Sequence, residues 1–410
     1  MRFYYIVFYI IFFVGCATHI PVEKKVDGIS DISQDPQVYT QNFDKGYIAT
    51  LESYKKEYYK EWHTPKPYIT KEKAIWPHRV FQYPKYYGEN FQKIPQKFYE
   101  DMNEEANFQE FATLNKKAIT LHRVNVRAFP TNKALFLNPY KAGEGFPFDY
   151  LQNSSLAAFK PVLVSHYSKD KGWVFIESSF VYGWVRSDAI AFIDEQHATQ
   201  WQKAQQMVIV KDKHAVYDNK EQFLFYSQLG QLLPKTSYFH IDDDVYNIGI
   251  LPFNGSSINK ILQELQKNIY GWGGMYGERD CSATMRDFFA PFGIWLPRNS
   301  SKQSQIGKVI SLDGMDDEQK IQTIKKYGIA FETLLYKKGH ILLYVGTYHD
   351  KVIVFHNTWG LKTSQWGKDG RYIIGKAVFS TLDFGKNIDG YESQNSILRH
   401  LKSMNIVTQK

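Results

Sequence analysis

A chain of 410 residues is longer than one hydrophobic core accommodates, so about two to four domains are expected. Aromatic residues make up 16% of it, which excludes a disordered or low-complexity protein. The formal charge of +8 suits an anionic cell envelope as well as nucleic acid, but the lysines are dispersed and no nucleic-acid motif occurs, so no nucleic-acid partner is expected.

Behind Arg2, Phe3 to Val14 is an unbroken apolar run, too short to span a bilayer but long enough for a signal-peptide core. It ends Phe13-Val14-Gly15-Cys16, which resembles the bacterial lipobox, with Phe13 where leucine is usual. The resemblance implies a signal peptide over 1–15 and a lipid on Cys16; ordinary signal-peptidase cleavage near Ala17 is the competing reading. Residues 16–46 are polar and aperiodic and read as a tether. Over 47–118 a Tyr-rich helical stretch, Leu51 to Trp62, precedes segments punctuated by Pro65, Pro67, Pro77, Pro84 and Pro95. A second helical pattern then runs through Phe98, Met102, Phe108, Phe111 and Leu114. This region reads as an irregular, mostly helical domain in which His63 and His78 are isolated packing or surface residues.

Near Ala118 the pattern changes to apolar–polar alternation from Ile119 to Thr131. Short strands follow at Pro161 to His166, Trp173 to Glu177 and Gly183 to Val185. Frequent turns between short strands indicate a small barrel or sandwich over 119–195. The phrases RVNVRAFPT, FDYLQNSSL, SHYSKDKGW and VYGWV resemble bacterial SH3-like (SH3b) domains. A second set, at Met207 to Val210, Ala215 to Tyr217 and Tyr246 to Leu251, reads as another such barrel over 196–256, with Asp242 to Asp244 a solvated turn.

An amphipathic helix from Ile258 to Lys267 leads into a loop rich in glycine and aromatics (Gly271, Trp272, Gly273, Gly274, Gly277) that ends at Asp280. Cys281 opens a segment whose Met285, Phe288, Phe289 and Phe292 recur at helical spacing until Pro291 and Gly293 stop it. A cysteine in the first helical turn faces unpaired N–H groups and the positive end of the helix dipole, which favour the nucleophilic thiolate. Its polar neighbours Arg279 and Ser282 make it a poor core position. With Cys16 lipidated it is also the only thiol left, so no disulfide forms and the thiol points to chemistry. A polar, helical segment is expected through Lys326. Two strands, Gly339 to Gly346 and Lys351 to Gly360, then form a hairpin turning at Tyr348 to Asp350. His340 and His356 are about equally far from that turn, which predicts cross-strand neighbours with side chains ~5 Å apart. Cys281 would thus gain an imidazole base, and that imidazole an orienting partner. No zinc-peptidase, Cys-x-x-Cys, phosphate-loop or Gly-x-Ser-x-Gly motif occurs, and no third metal ligand accompanies the histidines.

WGG, DCSATMRDFF, GIWLPRNSSKQ, KGHILLYVG and VIVFHNTWG occur in the order and rough spacing of the NlpC/P60 family, papain-like cysteine peptidases of bacterial cell-wall stem peptides. The resemblance covers about 258–385, with Ala283 where glycine is frequent after Asp-Cys-Ser. It implies an α+β catalytic domain, taken as 257–400, with Cys281 as nucleophile, His340 as base then acid, and His356 orienting His340. By similarity Asp280 contacts the free amine of the terminal L-Ala and Ser282 the D-Glu residue. Arg298 and Ser300 lie on the diamino-acid side, and Trp272 and the barrel residue Tyr182 wall the pocket. The expectation is a monomeric, lipid-anchored endopeptidase of the cell envelope facing the periplasm. It would cleave stem peptides between γ-D-glutamate and the diamino acid, without metal or organic cofactor. A non-catalytic wall-binding lipoprotein, or an amidase or acyltransferase with the same residues, are the alternatives.

Overall fold

The computed structural model describes residues 25–44, 46–47 and 49–409; the expected signal peptide and Cys16 lie outside them. An irregular helical region is followed by a seven-stranded sheet, two three-stranded sheets and a six-stranded sheet flanked by helices, a mixed α+β architecture as expected. Among the described residues no helix is long and apolar enough to cross a membrane.

The seven-stranded antiparallel sheet runs in the order Gln152–Leu156, Val124–Arg127, Tyr182–Arg186, Trp173–Glu177, Pro161–Tyr167, Lys116–Thr120, Ile190–Phe192. Val162, Val164, Val174, Ile176 and Val185 fill its interior. Trp173, Phe175 and Trp184 point outward, where Ala74, Ala106, Phe108 and Phe111 of the helical region cover them. The strand Trp173–Glu177 is therefore buried on both faces, and the helical region serves as the barrel's second wall. The strand expected from Ile119 is two strands: Lys116–Thr120 pairs with Pro161–Tyr167, whereas Val124–Arg127 pairs with Gln152–Leu156. The two three-stranded sheets enclose Met207, Ile209, Val216, Phe225, Leu233 and Phe239 as a second small core.

The six-stranded sheet runs Lys308–Ser311, Leu401–Ile406, Thr333–Lys337, His340–Tyr348, Lys351–Gln365, Lys368–Thr381. Ile341, Leu343 and Val345 pack against the helices Gly255–Gln266 and Cys281–Phe289, while Leu342 and Tyr344 pack with Ile324 of the helix Asp317–Tyr327. This period of two buries both faces of one strand under helices. Two expectations are corrected here. The segment through Lys326 is not all helix, since Lys308–Ser311 is an edge strand between two helices. The catalytic unit does not end at 400, because Leu401–Ile406 pairs with both Lys308–Ser311 and Thr333–Lys337.

Residues 25–44 are not a tether. Val26 and Ile29 are buried beside Leu382 and Phe384, the Thr381 N–H donates to the Gly28 carbonyl at 2.8 Å, and the Tyr39 ring lies 4.8 Å from Phe379. A few apolar residues without helical or strand period do the anchoring, so the composition stays polar. Replacing Val26 and Ile29 together by alanine is expected to cost about 2–4 kcal/mol, read as a fall in the urea midpoint. An unchanged midpoint would restore the tether reading.

Candidate active site

The approach to Cys281 is built jointly by the catalytic unit and the first barrel. Gly271 N–H donates to the Arg279 carbonyl at 2.9 Å, closing the loop on itself. Gly273 and Gly274 adopt φ of 58° and 81°, and a Cβ on Gly273 would stand 2.5 Å from the Gln152 carbonyl oxygen. Only glycine permits that backbone to lie against the barrel. Gln152 Nε2 then donates to the Gly273 carbonyl at 3.0 Å, and Trp272 Nε1 to the Asp149 carbonyl at 2.9 Å.

Asp280 caps the helix Cys281–Phe289: Oδ1 accepts the Ala283 N–H at 2.9 Å and Oδ2 the Gly273 N–H at 3.1 Å. Arg298 grips the same carboxylate in a fork, Nη1 to Oδ1 at 3.0 Å and Nη2 to Oδ2 at 2.6 Å, and holds the carboxyl below its usual range against the opposing effect of burial. Arg298 also donates to Ser282 Oγ at 2.9 Å and, across the domain boundary, to Ser154 Oγ at 2.8 Å. Asp280, Ser282 and Arg298 thus form one hydrogen-bonded cluster with the barrel. Arg298 is not segregated to another side of the site, and the carboxylate expected to face an amine already has its acceptor positions occupied. Ser300, the first residue of the helix Ser300–Gln303, lies outside these bonds. Tyr182 is corrected: its half-buried ring lies 6.3 Å from Phe175 in the barrel's outer packing. The barrel rings beside Trp272 are Phe148 at 5.2 Å and Tyr150 at 6.2 Å, and Trp359 joins Phe148 at 6.1 Å.

Cys281 is a free thiol, 7% exposed, close to the backbone N–H groups of Ile341 and Ser282, which favour its charged form. Ile341 directly follows His340 on the strand His340–Tyr348. Read back from Leu343↔Phe355, the hairpin register places Leu342 opposite His356: the turn is centred between His349 and Asp350, and the bulge between Tyr344 and Gly346 recovers one residue of the resulting offset. The histidines are diagonal rather than direct cross-strand neighbours, and His340 Nε2 still meets His356 Nδ1 at 2.8 Å.

Two groups that sequence reasoning missed complete the site. His356 Nε2 lies 3.0 Å from Ser380 Oγ, whose hydroxyl donates to the Thr381 carbonyl at 2.9 Å. Since that carbonyl only accepts, Ser380 accepts from His356 Nε2–H, His356 Nδ1 accepts from His340 Nε2–H, and His340 Nδ1 is the remaining basic nitrogen. Lys337, the cross-strand partner of His340, brings a positive charge to Cys281 and both histidines. A lone lysine and a lone serine on strands carry no spacing signal.

Burial opposes the thiolate expected at the helix tip. Burial, with the Asp280 charge second, pushes the Cys281 thiol up to about 12, against the helping N–H groups of Ile341 and Ser282 and the Arg298 charge. Burial likewise holds His340 well below its usual range, helped by His356 and Lys337, and brings His356 down to about 3. The pair is therefore a neutral thiol beside a neutral imidazole. Among the described residues no group of three or more His, Cys, Asp or Glu is placed to hold a metal ion.

A buried thiol at a helix start, backed by two hydrogen-bonded imidazoles on an antiparallel sheet, defines a cysteine-peptidase type of site. Residues 267–366 match the NlpC/P60 family and 5–111 its N-terminal stabilising domain; 134–186 match an SH3 domain of SH3b1 type and 194–236 one of SH3b2 type. Residues 267–366 thus form an NlpC/P60-family peptidase domain. A structure described as a novel NlpC/P60 endopeptidase from Photobacterium damselae subsp. piscicida is similar over 94% of this chain and 99% of its own, with 24% identity and a TM-score of 0.82, and shares the fold. An NlpC/P60 family protein from Bacillus cereus is similar over 62% of this chain and 81% of its own, with 16% identity and a TM-score of 0.39. No curated protein matches the chain.

The raised thiol has a direct readout. Iodoacetamide alkylation of Cys281 is expected to accelerate with pH through neutrality and beyond about pH 9. A rate already level by about pH 6 would reveal a preformed thiolate–imidazolium pair instead.

Proposed function

We propose that the chain is a cysteine endopeptidase of bacterial cell-wall stem peptides, cutting between γ-D-glutamate and the diamino acid. The observation that carries the reading is the directed chain from His340 through His356 and Ser380 to the Thr381 carbonyl, with Cys281 close to Ile341, the residue that follows His340. The family and the two SH3b domains point the same way, toward peptidoglycan.

As the sulfur attacks the scissile carbonyl, the Cys281 proton passes to His340 Nδ1, and the resulting imidazolium delivers it to the leaving amine. Water then hydrolyses the thioester with His340 as base. The backbone N–H of Cys281 is the proposed oxyanion donor. His356 and Ser380 fix which nitrogen of His340 is basic, and the Lys337 charge favours the thiolate as it forms. Trp272, with Phe148 and Trp359, walls the peptide groove. A free L-Ala amine reaches Asp280 only by displacing part of the Arg298 fork, while Arg298, Ser282 and Ser300 take the D-Glu and diamino-acid groups.

The proposed domain division falls at 118, 195 and 256, with the catalytic unit extended past 400 and joined by residues 25–44. The proposed setting is the periplasm-facing cell envelope, with a lipid on Cys16 and a monomeric protein.

Cys281→Ala is expected to abolish release of the diamino acid from L-Ala–γ-D-Glu–diaminopimelate, followed by mass spectrometry; any cleavage at that bond by the variant refutes the nucleophile. Ser380→Ala should lower kcat on the order of tenfold and His356→Ala on the order of a hundredfold, with KM held. An unchanged kcat in Ser380→Ala removes the serine from the chain. Equal rates on N-acetylated and free-amine peptides would eliminate the requirement for a terminal amine.

A further inference from the structure

Where the helical region, both barrels and the end of the Cys281–Phe289 helix meet, a cavity of about 40 Å³ is bordered by Tyr58, Lys160, Phe180, Arg286, Asp287 and Trp295. Lys160 is 4% exposed, and its Nζ lies 3.2 Å from the centre of the Tyr58 ring and 5.6 Å from that of Phe180. No carboxylate of the described residues comes within ion-pair distance of it. Arg286 spends Nε and Nη2 on Asp287 Oδ1, at 3.0 and 2.7 Å, and stands 3.8 Å from the same Phe180 ring. Its Nη1 is buried without an acceptor, as is the indole N–H of Trp295.

The surrounding acids do not answer these donors. Asp287 already accepts from Arg279, Arg286 and Gln228. Asp212 accepts from Arg279 and Asn268. Glu61 is fully buried, with Oε1 3.9 Å from Lys60 Nζ and no hydrogen bond to either oxygen, and burial pushes its carboxyl up to about 8. Arg123, Arg279 and Arg286 therefore outnumber the two carboxylates Asp212 and Asp287, and burial pushes Lys160 well below the usual lysine range. Lys160 and Arg286 share one aromatic ring, and the carboxylate beside them, Asp287, is already engaged by Arg279, Arg286 and Gln228.

We propose that this cavity binds a small monovalent inorganic anion of halide size, held by Lys160 Nζ, Arg286 Nη1 and Trp295 Nε1. A water needs roughly 10–15 Å³ of such space, so the cavity admits a halide and is too small for an organic ligand. The anion supplies the acceptor that all three donors lack and, by its charge, offsets the burial that disfavours protonated Lys160. Because Lys160 belongs to the first barrel and Arg286 to the nucleophile's helix, the anion bridges the two units that form the active-site approach.

The probe is bromide. Crystals of the full chain soaked in sodium bromide should give an anomalous peak in the cavity within contact of Lys160 Nζ and Arg286 Nη1; water density without anomalous signal overturns the proposal. In solution at constant ionic strength, exchanging gluconate for bromide should raise Tm on the order of 3–5 °C, and Lys160→Met should lose that rise. No shift in the native protein, or an equal shift in the variant, marks a general salt effect and also overturns it. Should Lys160→Met not fold, Trp295→Phe is expected to raise the bromide midpoint about threefold, and an unchanged midpoint counts against the site.

Discussion

The buried guanidinium of Arg279 is the fixed point of this molecule. It comes from the glycine-rich loop, one residue before the helix cap, and is 2% exposed. Nε donates to Asp287 at 2.7 Å on the nucleophile's own helix, and Nη2 donates to Asp212 of the second barrel at 2.9 Å. The opposing charges raise Arg279 above its already high value despite burial, so it is never neutral. Such a network contributes little net stability over an apolar equivalent, but losing one partner strands a buried charge at a cost of about 3–5 kcal/mol. Its consequence is geometric: barrel, loop and helix move as one piece. Asp280 extends that piece, since the carboxylate that caps the helix also receives Arg298, which reaches Ser154 of the first barrel.

Fixing the thiol so deeply has an electrostatic cost. The helix start and two N–H groups favour the thiolate, but desolvation outweighs them, and the adjacent Asp280 charge adds to the penalty. The same burial keeps both imidazoles neutral. Reactivity then depends on transferring a proton during attack rather than on a standing ion pair, so the orientation of the receiving imidazole matters more than its average charge. Arg298 and the half-buried Lys337 across from His340 are cations placed to offset the charge that develops on sulfur.

What the sequence made legible follows from the range of the interactions involved. Helical spacing at Met285, Phe288 and Phe289, alternation through Ile341 to Val345 and the Tyr348-to-Asp350 turn are local, and each element stands where its period put it. The two histidines were brought together by simple hairpin counting, although the turn is centred at His349 and Asp350, which makes their pairing diagonal. Contacts made by single residues at long sequence separation were not legible. Val26 and Ile29 dock a polar-looking segment, Ser380 lies 24 residues from the histidine it orients, and Leu401–Ile406 completes a sheet begun some 90 residues earlier. Tyr182 was misplaced for the same reason: which face of a doubly covered strand meets the catalytic unit depends on packing by the helical region, which strand periodicity does not encode.

The imidazole chain shows how these remote contacts reach the chemistry. A neutral imidazole donates with one nitrogen and accepts with the other, so two in series can be polarised in either direction. Only a terminus with a single character selects one. The Thr381 carbonyl is such a terminus, and through the Ser380 hydroxyl it forces every hydrogen bond toward itself, leaving the basic nitrogen at the opposite end. Thr381 is held in turn by its own N–H to the Gly28 carbonyl at 2.8 Å, with Val26 and Ile29 seated in the core on either side of that bond. Gly28 sits at φ 75°, and a Cβ there would press on Thr381 Oγ1 and the Phe384 backbone, so glycine is required for so close an approach. The segment that precedes every folded domain thus buttresses the residue that fixes the proton acceptor, and its apolar anchors belong to the catalytic unit in a physical as well as a topological sense.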